Sequence, residues 1–383
     1  MKKVKLLAIM LICILLTSSC WSRREIESLG IVLGMGISKT EEGLYTVVAQ
    51  VANPGAIVAE NPEGRDVYTI MISEGLSVFD ALRNIARLAK RRLYIAHIQV
   101  FIIDEAIAKE GLGQVMGFFV QVMEIRMEPF VFISKLPPKE ILDTPNSLGL
   151  VPSLGLNILA RGYGTTSKYY VSNLLKTVEA TNNPIINYVT TLVEKLPPAT
   201  NEELPFLKLT QLAVFKDQRL VGYLDEEGGQ AYNFISNNFK NGLITYECGN
   251  TGDQYVIEVL SSKAKIHPIY TDERIGFDIE LKVEGSIAER ISSMYTKVPI
   301  DIEKVERQLS QTIEDKLTKT IALAQEEYHV DIFNLSRNFS IKHPQKFKEI
   351  KDQWNEEFSR SDISVKVEAT ITHSALNVNR GRL

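Results

Sequence analysis

Nucleophiles, general bases and metal ligands are few in this chain of 383 residues, and they are scattered. The cysteines are Cys13, Cys20 and Cys248, and the histidines are His97, His267, His329, His343 and His373. No histidine has another histidine or a cysteine at metal-ligand spacing, and no CxxC pair offers redox chemistry. His97 lies in the apolar run 94–103 and is expected to be a hydrogen-bonded core histidine. His373 continues the apolar parity of the last strand and is read the same way. His267 and His343 each precede a proline, which drives the backbone extended and suits edges or caps. Gly30, Gly34 and Gly36 miss the dinucleotide-binding spacing, and neither a phosphate-loop motif nor a GxSxG elbow occurs. Asp225-Glu226-Glu227 lacks the alternating oxygens of a calcium loop and is expected to be an exposed acidic turn. Arg87, Lys90, Arg91 and Arg92 form a basic group at an expected helix end, where cations are favoured. Cys248 reads as a small buried apolar residue. The expectation is no catalytic residue, no metal and no cofactor.

Cys20 is the one side chain with a legible chemical fate. Lys2, Lys3 and Lys5 precede an apolar run over 6–16, about half the ~20 residues that a bilayer span needs. Thr17-Ser18-Ser19-Cys20 then reads like a lipobox, small residues leading to a cysteine, with Thr17 where leucine is usual and Leu16 one position earlier. A thiol in this setting receives a diacylglyceryl group, and cleavage makes the cysteine the new N-terminus. Each buried acyl methylene contributes ~0.8 kcal/mol, so two or more chains give stable anchoring. Residues 1–19 are expected to be removed as a signal peptide, and the mature protein is expected to be tethered to a membrane without spanning it. Cys248 is then the only free thiol, so no intramolecular disulfide is available.

Composition bounds the rest. With 45% hydrophobic and 23% charged residues the chain is globular in character. Its 43 Lys and Arg against 47 Asp and Glu leave a net charge of −4 with no basic stripe, so nucleic acid is not an expected partner. Strands are expected over 30–37, 44–51, 67–72, 94–103, 130–134 and 188–194, and helices over 77–92, 106–123 and 168–180. The segment 137–164 reads as connector because of its prolines. A stretch with three prolines, 196–205, reads as a linker between an N-terminal domain (20–195) and a middle domain (206–262). A C-terminal domain (263–383) follows. In it, Ile275, Phe277, Ile279, Leu281 and Val283 alternate with charged residues as in a half-buried strand. Ile302, Val305, Leu309, Ile313, Leu317 and Ile321 recur at helical spacing over 301–327. Strands and helices mix without regular βαβ alternation, so the expected class is α+β, multi-domain, with mixed or antiparallel sheets flanked by helices.

Several segments, taken in order, resemble the Ger(x)C family, the C subunits of spore germinant receptors. They are Cys20-Trp21-Ser22-Arg23-Arg24-Glu25-Ile26 with Leu29-Gly30, then Arg92-Leu93-Tyr94-Ile95-Ala96-His97-Ile98-Gln99-Val100, and Phe118-Phe119 with Glu124-Ile125-Arg126. In the second half they are Leu212-Ala213-Val214-Phe215-Lys216, Leu220-Val221-Gly222-Tyr223-Leu224, and Lys265-Ile266-His267-Pro268. Ser22 departs from the Asp that the family often carries there. The resemblance implies a non-enzymatic lipoprotein on the outer face of the inner spore membrane, acting in germination with the receptor's A and B membrane subunits. It transfers one residue role, lipidation of Cys20. Trp21, Arg23, Arg24, Arg91 and Arg92 are candidate partner contacts, and a lipid-anchored solute-binding protein is the alternative function. The anchor is directly testable: Cys20→Ala is expected to abolish fatty-acid labelling and move the protein out of the membrane fraction, and a variant that still labels and sediments with membrane contradicts the lipobox.

Overall fold

The described chain opens on alternating apolar residues that form an antiparallel hairpin, β1 (Leu29–Lys39) and β2 (Tyr45–Ala52), closed by a turn in which Gly43 takes φ +84. A computed structural model describes residues 29–374, apart from 54–66, 90, 146–150, 184, 199–203, 249–252 and 293–299. β3 (Tyr68–Gly75) adds antiparallel to β2. Ser77 then caps α1 (Val78–Ile85) by accepting from the Asp80 amide at 3.1 Å, as its sequence position suggests. α1 stops at Ile85, and turns carry the chain through Ala89 so that it can re-enter the sheet.

The expected strand over 94–103 is two strands. β4 (Arg92–Tyr94) pairs parallel with the start of β1, and β5 (Val100–Asp104) pairs parallel further along it. Between them Ile95 and Ile98 take the buried positions of a turn, which leaves His97 exposed with its ring edge-on to Tyr94 at 5.3 Å. His97 is therefore not a core histidine: the turn, not the apolar run, sets its direction. The expected helix over 106–123 is likewise two, α2 (Glu105–Glu110) and α3 (Gly113–Gln121), broken at Gly111 with φ +131. After β6 (Phe130–Ser134), the expected connector holds α4 (Pro138–Leu142) and α5 (Pro152–Arg161). Each has its proline in the first turn, where the missing N–H costs no bond. α6 (Leu174–Asn182) begins later than expected, because residues 170–173 run beside β6 instead.

β7 (Tyr188–Leu196), β8 (Phe206–Lys216) and β9 (Arg219–Leu224) complete a nine-stranded sheet of order β3-β2-β1-β5-β6-β7-β8-β9, with β4 beside β1. The proline-rich stretch thus does not separate one sheet from another: β7 and β8 on either side of it pair antiparallel from Tyr188–Phe215 to Leu196–Phe206. One face of the sheet packs on α1, α2, α3 and α6, and the other on α4 and α5.

A second sheet follows α7 (Glu226–Ile235), in the order β10 (Gly242–Cys248), β11 (Asp253–Thr271), β12 (Arg274–Ile291) and, at the far edge, β13 (Asp362–Ser374). β11 is one strand of 19 residues with register shifts at Val256/Ile257 and Val259/Ser261. The alternation in β12 holds: Phe277, Ile279, Leu281 and Val283 are buried and Asp278, Glu280, Lys282 and Glu284 exposed. The buried face packs on α7, on α8 (Ile302–Leu323), on α9 (Leu335–Lys342) and, beyond the short α10 (Pro344–Ile350), on Trp354 and Phe358 of α11 (Trp354–Arg360). α8 ends in a π-wound turn, Ala324–Tyr328, closed by His329 in the left-handed region. The architecture is α+β with mixed sheets flanked by helices, as expected.

β13 pairs with β12 on one side only, so its outer amides need other acceptors. α8 supplies them from residues one turn apart. Glu314 accepts from the Val367 amide (3.0 Å), Ser310 from Ala369 (3.0 Å) and Glu306 from Ile371 (2.8 Å). An unpaired buried amide costs about 1–3 kcal/mol. Glu306→Ala combined with Glu314→Ala is therefore expected to destabilise the fold by an amount on the order of 2 kcal/mol or more, read as a lower urea midpoint with little change in slope, and an unchanged midpoint rules out this capping of the sheet edge.

Candidate functional site

The largest departure from regular pairing lies between β6 and β7, which match at a single position, Ile133 with Leu192. Residues 170–173 fill the gap, and buried hydroxyls satisfy the backbone there. The Ser172 hydroxyl donates to the Val189 carbonyl (2.8 Å) and Thr191 to the Tyr170 carbonyl (2.8 Å), while Thr190 bonds the Val131 carbonyl. The Ser172 carbonyl in turn accepts from the Val131 amide at 2.9 Å. All three hydroxyl residues are buried. This arrangement fixes Tyr170 at the boundary between the two sheets.

Just before β7, Asn187 reaches across that boundary. Its Nδ2 donates to the Asp331 carbonyl at 2.9 Å and to Asn355 Oδ1 at 3.0 Å. The Asp331 amide donates to the same Asn355 oxygen (3.2 Å), and the Asp331 carboxylate accepts from Trp354 Nε1 and the Ser336 amide, each at 2.9 Å. Asp331 is fully buried, and burial pushes its carboxyl above the usual carboxylate range against the lowering effect of these donors. Burial likewise pushes the Tyr188 and Tyr232 hydroxyls well above the ordinary phenol value.

Beside this knot a cleft of about 470 Å³ opens between α6 and α9. Tyr170, Tyr188, Tyr232 and Phe347 form its walls, and Lys176, Glu179 and Arg337 bring charge to it. Tyr170 packs at 5.9 Å from Tyr163 and 5.5 Å from Tyr232, so the aromatic walls are braced from behind.

The residues expected from sequence lie elsewhere. Cys20, Trp21, Arg23 and Arg24 fall outside the described residues, as do Lys90 and the His373 side chain. Arg91 and Arg92 are exposed at the start of β4 and do not line the cleft. The acidic turn is structural: Asp225 caps α7 through the Gly228 amide (2.8 Å), Glu226 meets Lys168 (2.7 Å) and Lys208 (3.2 Å), and Glu227 meets Lys316 (3.1 Å). Gly34 and Gly36 serve packing, since a Cβ would come within 2.8 Å of Leu142 and 2.4 Å of Pro138. His267 faces Glu280 at 3.9 Å on the exposed face of the second sheet, whereas His343 packs against Phe339 and Tyr270. Among the described residues, no cluster of His, Cys, Asp and Glu is placed to hold a metal, and no helix is long and apolar enough to cross a membrane. Asn187, Asp331 and Asn355 carry no local spacing signal; a lone acid inside Val330-Asp331-Ile332-Phe333 is the one hint the sequence holds.

Comparison with known proteins matches both halves of this architecture. Residues 22–195 match the family described as "Spore germination protein N-terminal domain", and residues 210–375 match "Spore germination B3/ GerAC like, C-terminal". Spore germination protein KC of Bacillus subtilis (strain 168) is 25% identical over 397 residues, covering 99% of this chain and 97% of its own. Spore germination protein A3 of the same organism is 26% identical over 375 residues, covering 96% and 97%. The structure titled "Crystal Structure of the GerBC protein" shares the fold at a TM-score of 0.58 and 18% identity, covering 88% of this chain and 97% of that one. With both germination domains matched in order along nearly its whole length, the chain belongs to the Ger(x)C family of spore germination proteins.

Proposed function

We propose that this protein is the lipid-anchored C subunit of a nutrient germinant receptor, held on the outer face of the inner spore membrane. There it couples and scaffolds the A and B membrane subunits and performs no chemistry of its own. The observation that carries this reading is the interlocking of the two germination domains. β8 and β9 largely fall in the second matched segment yet extend the sheet of the first, and Asn187 of the first bonds Asp331 and Asn355 of the second. A body joined in this way passes displacement at one end to the other. Tethering through Cys20 supports the same reading, because confinement raises the effective concentration of partners and lets modest interfaces hold.

The basic residues at the start of β4 are proposed as one contact with the membrane subunits, together with Trp21, Arg23 and Arg24. Arg91 and Arg92 are exposed and make no ion pair with any described residue. Replacing both with Glu is expected to leave the thermal midpoint within a few degrees of the parent and to reduce recovery of the A and B subunits with the tagged protein from spore membranes. Full recovery with normal nutrient-triggered germination removes this surface from the assembly. A second variant addresses the coupling itself. Asn187→Ala deletes two bonds across the boundary, the one to Asp331 buried and the one to Asn355 part-buried, at a cost of about 1–3 kcal/mol. It is expected to slow nutrient-triggered germination while receptor recovery stays normal, and an unchanged germination rate in a measurably destabilised protein contradicts coupling through this knot.

A further inference from the structure

We propose that the cleft between α6 and α9 is a binding site for a small organic monoanion with a flat ring. Its volume, about 470 Å³, falls in the range of small-molecule sites, ~300–1,000 Å³. Its lining mixes aromatic rings with Ser and Asn side chains, and Tyr163 braces Tyr170 from behind, so a planar body finds a preformed wall to lie against. Its charges are not paired with one another, unlike Glu226, which Lys168 and Lys208 share, and Glu227, which Lys316 takes. Lys176 is held over the Tyr170 ring at 4.8 Å with its ammonium donating to the Tyr170 hydroxyl, and it makes no ion pair with Glu179 although both line the cleft. Arg337 is exposed and, among the described residues, has no carboxylate partner.

Two cations and one carboxylate leave the cleft with one net positive charge, which a single carboxylate on a ligand neutralises. The preferred occupant has that carboxylate between Lys176 and Arg337 and its ring against the aromatic walls. Glu179 then disfavours a dianion. Because α6 belongs to the first germination domain and α9 to the second, the ligand touches both. Its binding therefore tightens the boundary that Asn187 bridges.

The test uses the full-length chain in detergent with three probes: benzoate, acetate and benzamide. Benzoate supplies ring and charge, acetate the charge alone and benzamide the ring alone. Calorimetric titration is expected to show saturable benzoate binding with Kd on the order of 1 mM, and acetate and benzamide each at least about tenfold weaker. Arg337→Gln and Lys176→Gln are each expected to weaken benzoate by about fivefold or more, and Glu179→Gln to tighten it, because it removes a like charge. If Lys176→Gln lowers thermal stability through loss of its Tyr170 contact, the Arg337 and Glu179 variants decide the question. Equal affinity for benzoate and benzamide, benzoate affinity untouched in Arg337→Gln, or no saturable binding overturns the site. These outcomes are independent of receptor assembly, so the coupling role stands or falls separately.

Discussion

Interior backbone groups must find partners, and in this protein the place where strand pairing nearly fails is the place on which everything else rests. β6 and β7 meet at one residue pair, so the sheet would end there if nothing bridged the gap. Ser172, Thr190 and Thr191 bridge it with buried hydroxyls bonded to carbonyls, and residues 170–173 run in between. Each such bond contributes only about 1 kcal/mol net, but leaving its buried partner unpaired costs up to ~3 kcal/mol. That asymmetry makes the arrangement close to obligatory. Once β7 is seated, β8 and β9 add to it, α7 follows, and α7 carries the buried face of the second sheet.

The second sheet is built differently. Its outer face is charged and open, with pairs such as Lys282–Glu368 at 3.0 Å that solvent screens to little net value. Its inner face is apolar, and α8 closes its free edge with Glu306, Ser310 and Glu314. A strand edge covered in this way cannot recruit another strand, so contacts made at the β13 edge use side chains and not sheet extension.

Much of this was legible, and the failures have physical causes. Period-two alternation in β12 and β13 and helical spacing in α8 are strong because each element buries one face against a single core. The prolines at 138 and 152 misled because the residue breaks a helix interior yet suits its first turn. His97 misled because apolar residues around it are buried by a turn, which has no period to betray it. The proline-rich stretch looked like a boundary, and the two family matches do divide there. The backbone, however, pairs across it, and pairing between β7 and β8 depends on residues that a linker reading treats as separate. The cleft was not legible at all. Asn187 lies 144 residues from Asp331 and 168 from Asn355, and Lys176 is far from Arg337 in sequence, so only the folded chain brings them together.

What joins the two halves also bears on how they behave. An apolar boundary slides, because dispersion and burial change gradually with position. The knot at Asp331 does not, since Asn187 Nδ2 spans two acceptors, Asn355 Oδ1 and Asp331 Oδ2 each take two donors, and a small displacement breaks several of these directional bonds together. Trp354 adds a second constraint, for its ring is wedged against Phe277, Phe339 and Phe347 while its Nε1 is fixed on the carboxylate. The boundary therefore favours discrete arrangements over continuous flexing, which is the property that a proposed coupling subunit needs. A subunit that merely occupied space beside its partners has no use for a buried carboxylate whose burial works against its charge. Packed hydrophobic residues in its place are often as stable or more so. The polar knot is better understood as a device for fixing one relative position of the two germination domains.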